Sequence, residues 1–209
     1  MSVSVKILIL SAFSYFFGSI PFGLIVSKKV RGIDVRKFGS GNIGATNVVR
    51  VVGFKWGVFV FFLDFLKGFL PVFLVFAILE KNHELVYLGS ISAALLAIAG
   101  HNWPVFLKFR GGKGVSTSIG CIVALSLFLV FLRIPVMLSL LAWLALYFLT
   151  RLVGLASLSA GLSFFISCLS VKETPLEFRF LSFVIALFIT VRHRQNIKDI
   201  IQIYKSKRR

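Results

Sequence analysis

FKWGVFVFFLDFLKGFLPVFLVFAIL, residues 54–79, decides the class of fold. Its apolar residues do not alternate with polar ones, as they would in a barrel strand, and the run exceeds the roughly 20 residues that carry a helix across about 30 Å of hydrocarbon. Bilayer hydrocarbon offers nothing to an exposed backbone, so such a run reads as a membrane helix. Asp64 and Lys67 interrupt it three positions apart, on one helical face where they can pair. Intramembrane charges turn toward a bundle interior, and this pair is expected to brace the structure, with neither residue acting as acid or base.

The rest of the chain agrees. Its 209 residues include 24 Phe and only 7 acidic side chains, and mean hydropathy is +0.95. The reading is an all-α integral membrane protein, one polytopic domain over 1–209, with seven spans at about residues 5–27, 54–79, 85–103, 115–132, 135–150, 155–171 and 177–191. Arg133 and Pro135 divide an apolar run too long for one straight helix. Gly18-Ser19-Ile20-Pro21 breaks the end of the first segment, and no small-residue cleavage site follows, so it is not read as a signal peptide. Cys121 and Cys168 lie inside spans without metal-ligand spacing and read as packing residues.

Charge orients the spans. If the N-terminus is outside, the loops 28–53, 104–114 and 150–154, with Lys55 and the tail after 191, carry 18 Lys or Arg, against five on the other side. The positive-inside rule puts the first set, and the C-terminus, in the cytoplasm. The net charge of +17 is then topogenic and directed at anionic headgroups, with no nucleic acid implied. In the tail 192–209, Ile197, Ile200, Ile201 and Tyr204 follow helical spacing among polar residues, as in a helix lying on the membrane surface.

Three polar motifs share that cytoplasmic side. Gly39, Gly41 and Gly44 in KFGSGNIGATNVVR, residues 37–50, match G-x-G-x-x-G, the dinucleotide fingerprint. The parallel sheet that motif needs is missing, and Asp64, 20 residues past Gly44, sits in a membrane span. Ala45 stands where a P-loop has lysine. What survives is an anion nest: glycine backbone N–H groups that approach a phosphate, neutral donors from Ser40, Asn42, Thr46 and Asn47, and the planar fork of Arg50. Any one of these glycines would equally serve a tight turn; their density beside Arg50 favours phosphate.

The second motif, Phe109-Arg110-Gly111-Gly112-Lys113-Gly114, places a lysine between glycines just before the fourth span, where a helix N-terminus favours anions. Arg110 and Lys108 read as topogenic. The third is Arg192-His193-Arg194-Gln195-Asn196, where Asn196 follows His193 by one turn. His101, before Asn102-Trp103-Pro104, reads as a helix-end residue in an aromatic belt.

GSIPFGLIV, DVRKFGSGNIGATNVVR, GHNWPVFLKFRGGKGVSTSIG and RHRQNI, in this order, resemble the bacterial acyl-phosphate:glycerol-3-phosphate acyltransferases, the PlsY family, along essentially the whole chain. The resemblance implies an integral enzyme of the bacterial cytoplasmic membrane; a monomer without cofactor is expected, and no metal is implied because the cytoplasmic motifs lack a carboxylate cluster. Its partners would be acyl phosphate, glycerol 3-phosphate and membrane lipid. It would transfer an acyl group from acyl phosphate to the sn-1 hydroxyl of glycerol 3-phosphate, releasing lysophosphatidic acid and inorganic phosphate.

Carried residue by residue, the resemblance makes Lys113, Ser40, His193 and Asn196 catalytic candidates. Gly41, Asn42, Gly44, Thr46, Arg50 and Gly112 become substrate-binding candidates, joined by Asn47, Gly111 and Gly114 from the reading of the two loops themselves. The family's serine after the fifth span falls at Gly154 or Ser157, and Ser157 is taken as the candidate. A substrate phosphate oxygen, with Asp34 and Asp199 the only cytoplasmic carboxylates, is the expected proton acceptor.

Two rivals fare worse. The acyl-CoA-type H-x-x-x-x-D motif is missing, since no histidine has aspartate five positions on. A transporter would show internal repeats and polar groups near the midplane; here the motifs gather on one face.

Overall fold

The computed structural model describes residues 2–79 and 83–198. The amphipathic reading of the tail, apart from Ile197 and Lys198, lies outside the described residues, as does Asp199. No strand occurs among the described residues. The chain divides into two compact units, Met1–Val130 and Phe131–Arg209.

The first unit holds α1 (Val3–Gly18), α2 (Phe22–Arg31), α3 (Ala45–Val51), α4 (Phe54–Ile78), α5 (His83–Asn102) and α6 (Val115–Phe128). The first expected span is thus two helices. Pro21 cannot donate an N–H, and α1 closes at Gly18 before it. α2 ends on Gly32 at φ 68°, a left-handed cap that glycine adopts freely, with Lys28, Lys29 and Arg31 complementing the dipole of its last turn. α4 runs unbroken through Pro71.

Glycines set the helix contacts. A Cβ on Gly18 would strike the Ala97 carbonyl, and one on Gly100 the Tyr15 carbonyl, so α1 and α5 touch backbone to backbone. Gly68 meets Thr117 in the same way, and Gly120 meets Phe65, which joins α4 to α6. In lipid, where tails compete for apolar side chains, such close approach is a main source of helix association. The pairings also fix direction. Gly89 packs by Ile7 and Gly100 by Tyr15, so α1 and α5 run parallel; Thr117 lies by Asp64 and Phe128 by Phe76, so α4 and α6 do too. Asp64 faces His101 while Val75 faces Gly89, so α4 opposes α5.

The consequence is positional. The segments before α4 and before α6 lie at one end of this unit, where α5 finishes.

The second unit is an up-and-down set of α7 (Arg133–Thr150), α8 (Val153–Ser170) and α9 (Leu176–Arg192). The division expected at Arg133 is present: α6 stops at Phe128, and α7 begins at Arg133 with Pro135 in its first turn, where a missing N–H costs nothing. Ser139 donates to the Ala160 carbonyl at 3.0 Å and Ser159 to the Ala142 carbonyl at 3.3 Å, so α7 and α8 are antiparallel. Phe165 packs on Phe183 and Gly154 against Asn196, so α8 and α9 are antiparallel as well.

Five segments are long and apolar enough to cross a bilayer: Val3–Arg31, Phe54–Ile78, Leu85–Leu107, Val130–Thr150 and Val153–Ser170. α6 is apolar but has 14 residues, and α9 has 17. Their surface is inverted relative to a soluble protein. Leu8, Leu140, Leu149 and Phe180 are exposed, while Ser14, Ser27, Asp64, Lys67, Ser139 and Ser182 are buried. A hydrocarbon solvent favours that arrangement.

Candidate active site

The loop between α2 and α3 is built around one side chain. Asn47, buried in the first turn of α3, accepts from Ser40 N at 2.9 Å through Oδ1. Its Nδ2 lies 2.8 Å from the Asn42 carbonyl and 3.1 Å from those of Val35 and Phe38, three acceptors for two protons. Asn42 Oδ1 in turn accepts from Gly44 N at 2.8 Å. Two of the expected donor side chains therefore hold the loop together. Gly39 and Gly41 have φ 59° and 69°, and a Cβ on Gly39 would overlap Asn47 Oδ1. Ser40, Gly41, Thr46 and Arg50 remain exposed on this frame.

Upstream, Asp34 bonds Arg36 side chain to side chain, with 2.6 Å between Oδ2 and Nη2, and also accepts from the Arg36 N–H. That hydrogen bonding outweighs desolvation and holds the Asp34 carboxyl at about 2. It is a poor proton acceptor at neutral pH.

The second loop folds back on the end of α5. Gly111 N donates to the Asn102 carbonyl at 3.2 Å and Gly112 N to that of His101 at 3.0 Å. A Cβ on Gly111 would strike the His101 carbonyl, one on Gly112 the His101 Nε2, and one on Gly114, at φ 77°, the Asn102 side chain. Each glycine is required by this contact. Lys113 is half-buried, and α6 follows with no side-chain cap on its first N–H groups, which leaves a positive helix end beside a lysine.

Behind this loop lies a buried polar chain. Lys67 Nζ is 2.9 Å from Asp64 Oδ1 and 2.9 Å from the Ile20 carbonyl; Asp64 Oδ1 is 3.7 Å from His101 Nδ1; Thr117 Oγ1 is 3.0 Å from the Asp64 carbonyl and 3.2 Å from His101 Nδ1. The expected pairing of Asp64 with Lys67 is present. His101 is not the belt residue of the sequence reading: it is 4% exposed and faces Gly112. Only its proximity in sequence to the glycine loop hinted at this.

In the second unit, His193 caps α9, buried, with Nδ1 2.8 Å from the Ile189 carbonyl. A carbonyl can only accept, so Nδ1 carries the proton, and in the neutral ring Nε2 is the acceptor. The chain resumes helical geometry after His193, and Asn196 lies against Gly154, where a Cβ would come within 2.9 Å of Nδ2. Ser157 lies inside α8, buried, donating to the Val153 carbonyl at 2.8 Å. The end of α9 and the start of α8 are thus neighbours.

Fold and site define a multi-pass helical membrane protein whose first unit carries two glycine-rich, cation-bearing loops at one end. A family model described as glycerol-3-phosphate acyltransferase matches residues 8–203. The chain is 42% identical over 196 residues to the glycerol-3-phosphate acyltransferase of Aquifex aeolicus (strain VF5), covering 94% of this chain and 96% of that protein. It is 43% identical over 196 residues to the one from Macrococcus caseolyticus (strain JCSC5402), covering 94% of each. It superposes with TM-score 0.81 and 40% identity, over 94% of this chain and 92% of the other, on the crystal structure of PlsY (YgiH), an integral membrane glycerol 3-phosphate acyltransferase, in its glycerol 3-phosphate form. The lysophosphatidic acid form gives 0.79 at the same identity. The chain belongs to the glycerol-3-phosphate acyltransferase family, and it is an acyltransferase.

Proposed function

We propose that the protein transfers a fatty acyl group from acyl phosphate to the sn-1 hydroxyl of glycerol 3-phosphate, giving lysophosphatidic acid and inorganic phosphate. The reading rests on one observation above the others: at one end of the first unit, one glycine loop leads into α3 with Arg50 in its last turn, and the other holds Lys113 just before α6. Both substrates carry a phosphate, one as leaving group and one as handle. The solved relative described with glycerol 3-phosphate and with lysophosphatidic acid supports the acceptor and the product.

In the reaction the acceptor hydroxyl oxygen forms a bond to the acyl carbon, the bond from that carbon to the bridging phosphate oxygen breaks, and the hydroxyl proton passes to a phosphate oxygen. Acyl phosphate is already activated, so catalysis is positioning and charge stabilisation. Lys113, with the N–H groups of Gly114 and of the start of α6, neutralises charge on the departing phosphate, with Gly111 and Gly112, whose N–H groups donate to the Asn102 and His101 carbonyls, shaping the loop. The Ser40 and Thr46 hydroxyls donate to phosphate, and Gly41 and Gly44, whose N–H groups are taken by the Phe38 carbonyl and Asn42 Oδ1, shape the loop that presents them. Asn42 and Asn47 keep those donors in place, and Arg50 holds glycerol phosphate; His193, Asn196 and Ser157 stay candidates through the family resemblance. The proton acceptor in this reading is the substrate phosphate, and Asp34, held at low pKa by Arg36, is a poor alternative.

The arrangement in the membrane is seven spans, with residues 115–132 and 176–192 completing the five long segments. The N-terminus is outside and both glycine loops face the cytoplasm, in a monomer of the bacterial inner membrane. The test is direct: protein purified in detergent, supplied with palmitoyl phosphate and glycerol 3-phosphate, releases phosphate and forms the 1-acyl product. No release, or release only when acyl-CoA is supplied, overturns the reading.

A further inference from the structure

We infer that His101 is a positioning residue for the loop that carries Lys113, and that the intramembrane pair Asp64–Lys67 exists to hold His101. The inference rests on the function proposed above and extends it to a group of residues beneath the loop.

The chain of contacts is continuous. Thr117 has one hydroxyl proton, and the Asp64 carbonyl 3.0 Å away can only accept it. The Thr117 oxygen, 3.2 Å from His101 Nδ1, must therefore accept from that nitrogen, which fixes the proton on Nδ1. The Asp64 carboxylate, 3.7 Å from the same nitrogen, favours the same tautomer. A histidine with its Nδ1 side fixed in this way has its ring plane set, and Nε2 is directed at Gly112. Meanwhile the His101 carbonyl accepts from Gly112 N at 3.0 Å. Gly112 is thus gripped by the ring and the carbonyl of one residue, immediately before Lys113.

The rest of the chain prevents drift. Lys67 ties Asp64 to the Ile20 carbonyl, in the break between α1 and α2, with 2.9 Å on each side. A charge pair in a membrane interior is expensive and persists where it does something. A greasy pair would pack α4 equally well, but it could not define the orientation of an imidazole. Glycine-rich loops have little stiffness of their own, so a rigid backing is what converts loop 111–114 into a preorganised anion site.

Removing Asp64 or Lys67 singly would leave an unpaired buried charge and unfold the protein, so the test uses neutral, shape-conserving changes. In the phosphate-release assay the wild type is measured first; if it does not turn over, the proposed function and this inference fall together. Given turnover, H101F is expected to lose about tenfold or more in kcat, because sub-ångström misplacement of a charge-stabilising group costs on that order. KM for both substrates should stay within about threefold and the unfolding temperature in detergent within a few degrees. Thr117→Val, which deletes only the bridging hydroxyl, should lose about threefold or more in kcat, and Thr117→Ser should restore it. Wild-type kcat in H101F or T117V overturns the inference, as does a kcat loss that tracks the unfolding temperature. A T117S protein as slow as T117V overturns it too.

Discussion

Lys113 and Lys108 are five positions apart on one glycine-rich segment, yet they stand in different surroundings. Lys108 is exposed on a left-handed turn, whereas Lys113 is half-buried at the head of α6. Lys113→Ala is therefore expected to cut kcat by about 10²–10³, the usual loss when a preorganised charge-stabilising donor is deleted. Lys108→Ala should change it less than about twofold; equal losses in the two variants would misplace the site. For proton transfer, any ionisation of kcat at about pH 6 at saturating substrate should belong to the substrate phosphate and should persist in His193→Gln. A limb near pH 6.5 that disappears in His193→Gln would hand the base role to His193. Glycine spacing and cations are what the expectation of a phosphate site in both loops rests on. The work of Asn47 was not legible there, because an asparagine inside a loop motif reads equally as ligand or as scaffold. Only its contacts with Ser40 N and the Asn42 carbonyl separate the two.

At the scale of elements, α4 is the post on which the site stands. Gly57 seats Val49 of α3 on it, while Gly68 and Asp64 seat α6. Gly120→Val should force α6 off Phe65, overpacking at a cost of about 1–3 kcal/mol, and should lower the unfolding temperature in detergent along with kcat. Gly32→Ala, where no neighbouring atom crowds the added carbon and only the φ of 68° objects, should cost about 1 kcal/mol and leave turnover intact. A larger drop in Gly32→Ala than in Gly120→Val would show that backbone conformation outranks helix contact. The helices were readable from apolar run length, and six of the seven expected spans appear as single helices within a few residues of their expected ends. The first became α1 and α2, parted just before Pro21, although α4 keeps its helix through Pro71.

For the whole molecule, the proposed orientation can be checked with the chain's own chemistry, since Cys121 and Cys168 are both buried and give a low labelling background. A Lys37→Cys protein should react with a membrane-impermeant maleimide only after the inner leaflet is exposed, and a Lys172→Cys protein before it. The reverse order would invert the topology. Sequence alone determined that the chain is helical and lives in a bilayer, because hydrophobic length and the demand for backbone hydrogen bonds admit few solutions. It determined the charge asymmetry and the glycine-and-cation composition of two loops, since these follow from residue type. Tertiary structure decided what depends on distant partners. It set the parallel course of α4 and α6 that brings both loops to one end, and it committed Asn47 to the loop scaffold. It also turned His101 inward to meet Asp64, Thr117 and Gly112. Hydrogen bonds and glycine contacts are made between positions far apart in sequence, and no local pattern encodes which groups will meet.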